Sequence, residues 1–378
     1  MSFRQLGTAL LLSLGIVAVH LSGCQYLPFG QKAESDLEDD VFGELSEGGA
    51  EEKSGDDRPA GPAAAEPVDL SLRLEVGQRF PLTKTVEQRI TQSLPSGPMV
   101  SHSRLDLQLS LVVEEVQAAR RRLSVRYHRV RYLQEVGGQI IEYHSDRPAT
   151  DIPPAALPYA GLKDNGFSFW IGADNQVQEL IGFADFLRRC LHHVPLDQQP
   201  AVLRQLQDLG TTDGLASFVD DSIGLLPGRG NGGEWRVGST WELPRRAADG
   251  SAAATTRCLL KDINERTAEI SLLGSIGPSS YVDDVNGIQL TVLRGQTTGT
   301  CTVDRLTGMP TRSRVERTLD MTAQLADGSI IPQRKEMVST VMAYLEQSAM
   351  HAVDRRAEGI GQTVHQSVYI PQGQPGPR

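Results

Sequence analysis

The sequence is poor in the groups that most often announce a chemistry. Of its 378 residues only 5% are aromatic, and there are four cysteines, Cys24, Cys190, Cys258 and Cys301. No HExxH, GxSxG, SxxK or CxxC run occurs, so no specific reason exists to name a zinc protease, a serine hydrolase or a dithiol enzyme. Beyond residue 24 no stretch approaches the roughly 20 apolar residues of a spanning helix. A chain this long can bury an ample core without disulfides. At most one pair can form among the last three cysteines and sequence cannot choose it, though Cys258 and Cys301, both in β runs, are the better candidates. Cys190 falls on an apolar helical stripe, where a thiol behaves as a small hydrophobe.

What is present begins at the N-terminus. Arg4 is followed by an apolar segment from Thr8 to Val19 and then by Leu21-Ser22-Gly23-Cys24. The segment has the length of a signal h-region and is too short to span a bilayer. Its close resembles the bacterial lipobox. That resemblance implies a signal peptide over 1–23, cleavage, and a lipid anchor on Cys24. Two or more acyl chains hold a protein stably on a membrane where one does not. Gln25, in place of an aspartate, favours export to the outer membrane, facing the periplasm.

The net charge of −10 is unevenly spread. Residues 25–66 hold twelve acidic and three basic residues, which leaves the chain from residue 67 onward near neutrality. Rich in Gly, Ala, Pro and acids, residues 24–67 are expected to form a disordered tether with a reach of about 35 Å. A globular domain over 68–348 and a flexible tail over 349–378 complete the organisation.

The period of the globular part is two. Leu105, Leu107, Leu109, Leu111 and Val113 alternate with polar residues, as do Ile288, Leu290 and Val292, and Val315, Leu319, Met321 and Ala323. Gly137-Gly138, Gly308 and Asp327-Gly328 mark turns. The pattern predicts a mainly β (α+β) fold, a large antiparallel curved sheet or barrel-like meander in two halves. Val76-Gly77-Gln78-Arg79-Phe80 and Val237-Gly238-Ser239-Thr240-Trp241 form a weak repeat that would open the two halves. Between them the period turns helical. Phe183, Phe186, Leu187, Cys190, Leu191 and Val194 share one stripe, and further helices are expected over 197–209 and 215–226, a helical insert spanning about 182–226. Val338, Val341, Met342 and Leu345 fit a helix or a strand equally well.

Few groups could carry chemistry. Cys190, His192 and His193 diverge around a helix, and no metal site or cofactor is expected. Asp220 and Asp221, adjacent, read as a helix end or as acid–base partners. Gly228–Gly233 lacks a P-loop's Lys-Ser/Thr and reads as a linker. Arg120, Arg122, Arg126 and His128 share one strand face opposite Leu123, Val125 and Tyr127. Beyond them the parity slips at Val130 and Tyr132, as at a bulge. That face is either an anion-binding surface or a wet face paired with Asp106, Glu114 and Glu115.

The stretches 74–88, 165–172, 218–227 and 303–310 resemble an uncharacterised family of bacterial lipoproteins of unknown function, over about residues 70–345. The resemblance implies no catalytic residue. The hairpin VDRLTGMPTRS also resembles the carriers that sort lipoproteins, half-open barrels that sheathe acyl chains. Three readings remain. The first is a non-enzymatic, membrane-anchored binder of an apolar or lipid-like ligand. The second is a scaffold contacting other envelope proteins. The third is a hydrolase using residues such as Asp220, Asp221 and His193. No nucleic-acid partner is expected. An unfilled apolar cavity inside the sheet would favour the binder, and a filled core the scaffold.

Overall fold

In the computed structural model, residues 67–147, 152–197, 199, 221–228, 234–243, 254–283 and 288–344 are described. Cys24, the tether, the tail, Asp220 and most of the second and third expected helices lie outside them.

A short strand β1 (Val68–Asp69) precedes the long strands β2 (Arg79–Leu94), β3 (Gly97–Val116) and β4 (Arg120–Val136) and the short β5 (Gln139–His144). Among the described residues, helices α1 (Leu157–Ala160) and α2 (Phe183–Cys190) follow, flanking β6 (Gly166–Gly172) and β7 (Val177–Ile181). The second half holds β8 (Glu234–Trp235), β9 (Thr240–Glu242), β10 (Ala254–Ile263), β11 (Thr267–Ile276), β12 (Ser279–Asp283), β13 (Ile288–Asp304), β14 (Pro310–Gln324) and β15 (Ile330–Ala343). The residues around Val341 are therefore strand.

All pairings are antiparallel. One 13-stranded sheet runs β7-β6-β4-β3-β2-β15-β14-β13-β11-β10-β9, with β5 on β4 and β12 on β13. It does not close into a barrel. The fold is mainly β, as the period-two pattern predicts.

The order β7-β6-β4-β3-β2 is repeated by β14-β13-β11-β10-β9, with β15 inserted between the two meanders. The weak sequence repeat marks their equivalent starts. The Gly77 amide donates to the Val113 carbonyl and Val113 returns a bond to the Gln78 carbonyl. Gly238 and Ser239 make the same pair of bonds with Leu260. Both glycines have positive φ, 89° and 90°, which a Cβ would resist. β1 and β8, just upstream of these turns, pair with each other.

One face of the sheet, its inner face, carries the core. Leu82, Leu107 to Val113, Leu123 to Tyr132, Val315, Val341, Cys301, Ile270 and Leu260 contribute from the strands. They all lie toward the end where β2 begins and β15 stops. The described parts of the connection between β5 and β8, helix α2, Ile223, Leu225 and Leu226 among them, pack into the same apolar cluster. The expected apolar stripe, Phe183 to Val194, is buried. Phe167 meets Phe183 edge-on at 5.1 Å and Phe186 at 4.9 Å. A Cβ on Gly161, after α1, would stand 2.3 Å from the Cys190 backbone, so the helices approach closely there. Helix α1, and the 3-10 turn over Pro154–Ala156 before it, were not expected from sequence.

Candidate functional site

Because side chains alternate along a strand, every second residue of β2 and β15 faces the core side. From Leu82 the inward residues of β2 are Lys84, Val86, Gln88, Ile90 and Gln92. From Val341 those of β15, running back, are Ser339, Met337, Lys335, Gln333 and Ile331. No register shift interrupts the β2–β15 pairing. The inner face thus continues well past the residues the insert covers, and there its composition changes.

The change starts where the insert meets the sheet. Asp221, in the turn before the 3-10 segment Ile223–Leu225, lands on three neighbouring strands. Arg317 Nη2 of β14 donates to Asp221 Oδ1 at 2.9 Å, and Lys84 Nζ of β2 lies 3.4 Å from Oδ2. Ser313 Oγ donates to the Asp221 backbone carbonyl. All three charged side chains are buried. Burial alone would raise the Asp221 carboxyl pKa, but Arg317, Lys84 and the Ser339 hydroxyl override it and hold the group well below the usual carboxylate range. The adjacent gap among Leu82, Leu109, Phe169, Ile223 and Val341 has a volume of about 20 Å³, room for about one water. This end of the inner face is filled.

Through the clamp's Arg317, one row crosses eight registered strands: Gln134, Ser103, Gln88, Met337, Arg317, Thr297, Gly274 and Thr256. All of its members except Gly274 are buried, and all but Met337 and Gly274 are polar. The next row holds Ile90, Lys335 and Leu319, and the one after it Met99, Gln92, Gln333, Met321 and Val292. Polar and apolar groups alternate there as on a chequerboard. Ile90, Met337 and Ile331 are buried yet belong to neither contiguous cluster of apolar contacts. Gln92 Nε2, Gln333 Nε2, Thr256 Oγ1 and Thr297 Oγ1 are buried without a hydrogen-bond partner. An orphaned buried polar group costs about 1–3 kcal/mol, so four of them on one face form a feature to explain.

Of the sequence's candidates, the basic face of β4 is engaged on the opposite, outer side of the sheet. Arg122 Nε lies 2.9 Å from Glu114 and its Nη1 lies 3.4 Å from Glu115. Arg120 lies 3.8 Å from Glu179 and 4.1 Å from the Trp170 ring centroid. His128 Nε2 contacts Ser110 Oγ at 2.8 Å and accepts from Arg79 at 3.3 Å. Arg126 is exposed. Asp106, the other expected partner of this face, instead takes Arg104 at 2.9 Å. The expected bulge is present, between the pairs of Gln108 and Leu109.

No disulfide joins Cys258 and Cys301; both are buried thiols. They lie on β10 and β13 with β11 between. Two strand spacings are close to 10 Å, beyond the Cα span of a disulfide. Burial pushes the Cys190 thiol up to about 12, so it is chemically quiet. Among the described residues no group of three or more His, Cys, Asp or Glu could hold a metal, and no helix is long and apolar enough to cross a membrane. The inward Lys84, Gln88, Gln92, Arg317, Gln333 and Lys335 were missed. The available signal was strand parity carried on from Leu82 and Val315.

Fold and site together define an open antiparallel β protein whose inner face is part core and part buried polar surface. A family model described as a family of unknown function, DUF6263, matches residues 119–310, about half the chain, and the chain belongs to that family. A comparison with curated proteins finds no match. Among solved structures, a lipovitellin structure is similar over 72% of this chain at 10% identity and a TM-score of 0.38, and the chain spans a quarter (25%) of its length. A Vibrio parahaemolyticus domain assigned to outer membrane lipoprotein sorting is similar over 74% of this chain and 91% of its own, at 7% identity and a TM-score of 0.13. A DUF1329 family protein from Desulfovibrio piger is similar over 72% and 88%, at 6% identity and a TM-score of 0.14. Likeness at this level fixes neither ligand nor function.

Proposed function

We propose that this protein is a lipoprotein of the bacterial envelope, acylated at Cys24, whose β domain binds an apolar or lipid-like ligand without catalysis. The lipobox-like run and the acidic segment behind it support the anchor. The observation that carries the binding role is the distal inner face. Interleaved apolar and hydrogen-bonding groups, buried and in part orphaned, suit an amphiphile better than they suit water or a dry core. The filled core end moves the ligand away from the apolar cavity that sequence alone would favour. The hydrolase reading loses its acid–base pair, because Asp221 is held ionised between two cations and accounts for no proton transfer.

Native mass spectrometry of the full chain, released from membranes in a mild detergent, tests both parts at once. The expected protein mass carries a lipid modification that Cys24→Ser removes, together with a separate, non-covalent lipid adduct. A bare protein mass overturns the anchor. No adduct, combined with no rise in Tm on adding lipid, overturns the binding role and leaves the scaffold.

A further inference from the structure

Gln92 and Gln333 face each other directly across the β2–β15 pair. Their parity puts both side chains on the inner face, and they are only 3% and 6% exposed. Neither amide nitrogen has a partner. Cβ atoms of directly opposed residues stand about 4.5–5.5 Å apart, so two donors converge on one patch. Around that patch the registered neighbours are Met99, Met321 and Val292 in the same row and Ile90, Lys335 and Leu319 in the next. Two buried donors set in a largely apolar frame call for an uncharged acceptor joined to hydrocarbon. The buried Lys335 beside the pair is already engaged, so the two neutral amides are the donors left over, and they suit a carbonyl better than a formal charge.

We propose that Gln92 and Gln333 form a subsite for the ester carbonyl of an acyl lipid, each amide donating one hydrogen bond and the acyl chain lying along Ile90, Met99 and Met321. This rests on the lipid-binding reading above and sharpens it: the recognised part of the lipid is its acyl linkage, not its head group. A site of that kind accepts lipids with different heads and rejects those without a carbonyl, by the logic that a polar site left unpaired penalises an isostere.

The test uses the full chain in dodecyl maltoside, a detergent that has no ester. It is titrated with monopalmitoylglycerol and with the matching hexadecyl glyceryl ether, by displacement of a naphthalene sulfonate dye. Wild type is expected to bind the ester about five- to thirtyfold more tightly than the ether, the effect of one to two neutral hydrogen bonds. In Gln92→Leu/Gln333→Leu that preference is expected to fall to about one, with the ether bound at least as well as before. The same double variant is expected to have an unchanged or higher Tm without ligand, because it removes orphaned donors, and this controls for misfolding. Equal binding of ester and ether by wild type, or an ester preference that survives in the double variant, overturns the subsite while leaving the lipid role standing. If neither compound displaces the dye, the lipid role falls as well. A Tm well below wild type would show the amides to be structural and also overturn the proposal.

Discussion

The same long strands build both ends of the inner face, yet the two ends hold different contents. At the core end Leu82, Leu109, Leu111, Leu123 and Phe169 join one apolar cluster with Ile223 and the buried residues of helix α2, and the charged groups that enter are matched through Asp221. At the distal end Gln88, Gln92, Gln333 and Lys335 alternate with Ile90, Met337 and Met321, and orphaned donors accumulate. The contrast shows that burial and core are separate properties. The backbone ladder runs on through both ends, whereas the main apolar cluster stops near the Asp221 clamp and only a small one, Leu290, Met321 and Ala323, lies beyond it. The largest effect that tests this is truncation of Phe169, which is 0% exposed. Phe169→Ala is expected to lower the unfolding free energy by about 3–5 kcal/mol, against clearly less for Met337→Ala at the distal end. Equal losses in denaturant titrations would make the distal end ordinary core and erase the distinction.

The clamp that divides the two ends should show itself in pH. Removing one partner of a buried ion cluster leaves the others uncompensated, so Asp221→Ala is expected to cost about 3–5 kcal/mol. Arg317 and Lys84 hold the folded-state pKa of Asp221 below its unfolded value. Its contribution is therefore fully present above about pH 4 and is lost as pH falls further and the carboxyl takes up a proton. Denaturant midpoints measured from pH 7 down to pH 2 should fall more steeply below pH 4 in wild type than in Asp221→Asn. Parallel curves would mean that Asp221 does not couple the insert to the sheet.

Much of the core end was legible because its residues obey two simple periods. The stripe from Phe183 to Val194 and the alternation from Leu105 to Val113 mark a helix and a strand by spacing alone. Even the five-residue repeat, with three matches, located two turns of the same hydrogen-bonding pattern. The distal end was not legible in the same way. Lys84, Gln88, Gln92, Arg317 and Lys335 are polar, and a polar residue in an amphipathic strand is read by default as facing water. Only the parity counted from Leu82 and Val315 assigns them inward, and parity says nothing of what they meet there. Asp221 was noticed for its neighbour Asp220, but its partners lie 96 residues downstream at Arg317 and far upstream at Lys84, separations that no local pattern encodes. Whether the better-placed cysteines could pair was illegible for a related reason. Both thiols sit in β runs, but the strand order that places β11 between them is a property of topology.

The outer face of β4 supplies the smallest expected effect and the sharpest contrast with the buried clamp. Arg122 touches two carboxylates, like the Asp221 cluster with its signs reversed, but its side chain is 34% exposed. Exposed pairs are screened by water and salt and contribute about 0–1 kcal/mol. The pair Arg122–Glu115 sits in direct cross-strand register, which places it at the favourable end of that range. Arg122→Ala is therefore expected to cost about 0.5–1 kcal/mol in 50 mM salt, and most of that difference should vanish in 1 M salt, where the Debye length is near 3 Å. The Asp221→Ala loss should survive the same salt. If Arg122→Ala instead leaves stability untouched but weakens adsorption of the full chain to anionic vesicles, the guanidinium row is a contact surface for the envelope rather than a laced outer face. A larger loss that persists in high salt would indicate that the Arg122 guanidinium also acts on the Trp170 ring, whose centroid lies 5.7 Å from Cζ, and Arg122→Lys, which keeps a cation there, would restore part of it.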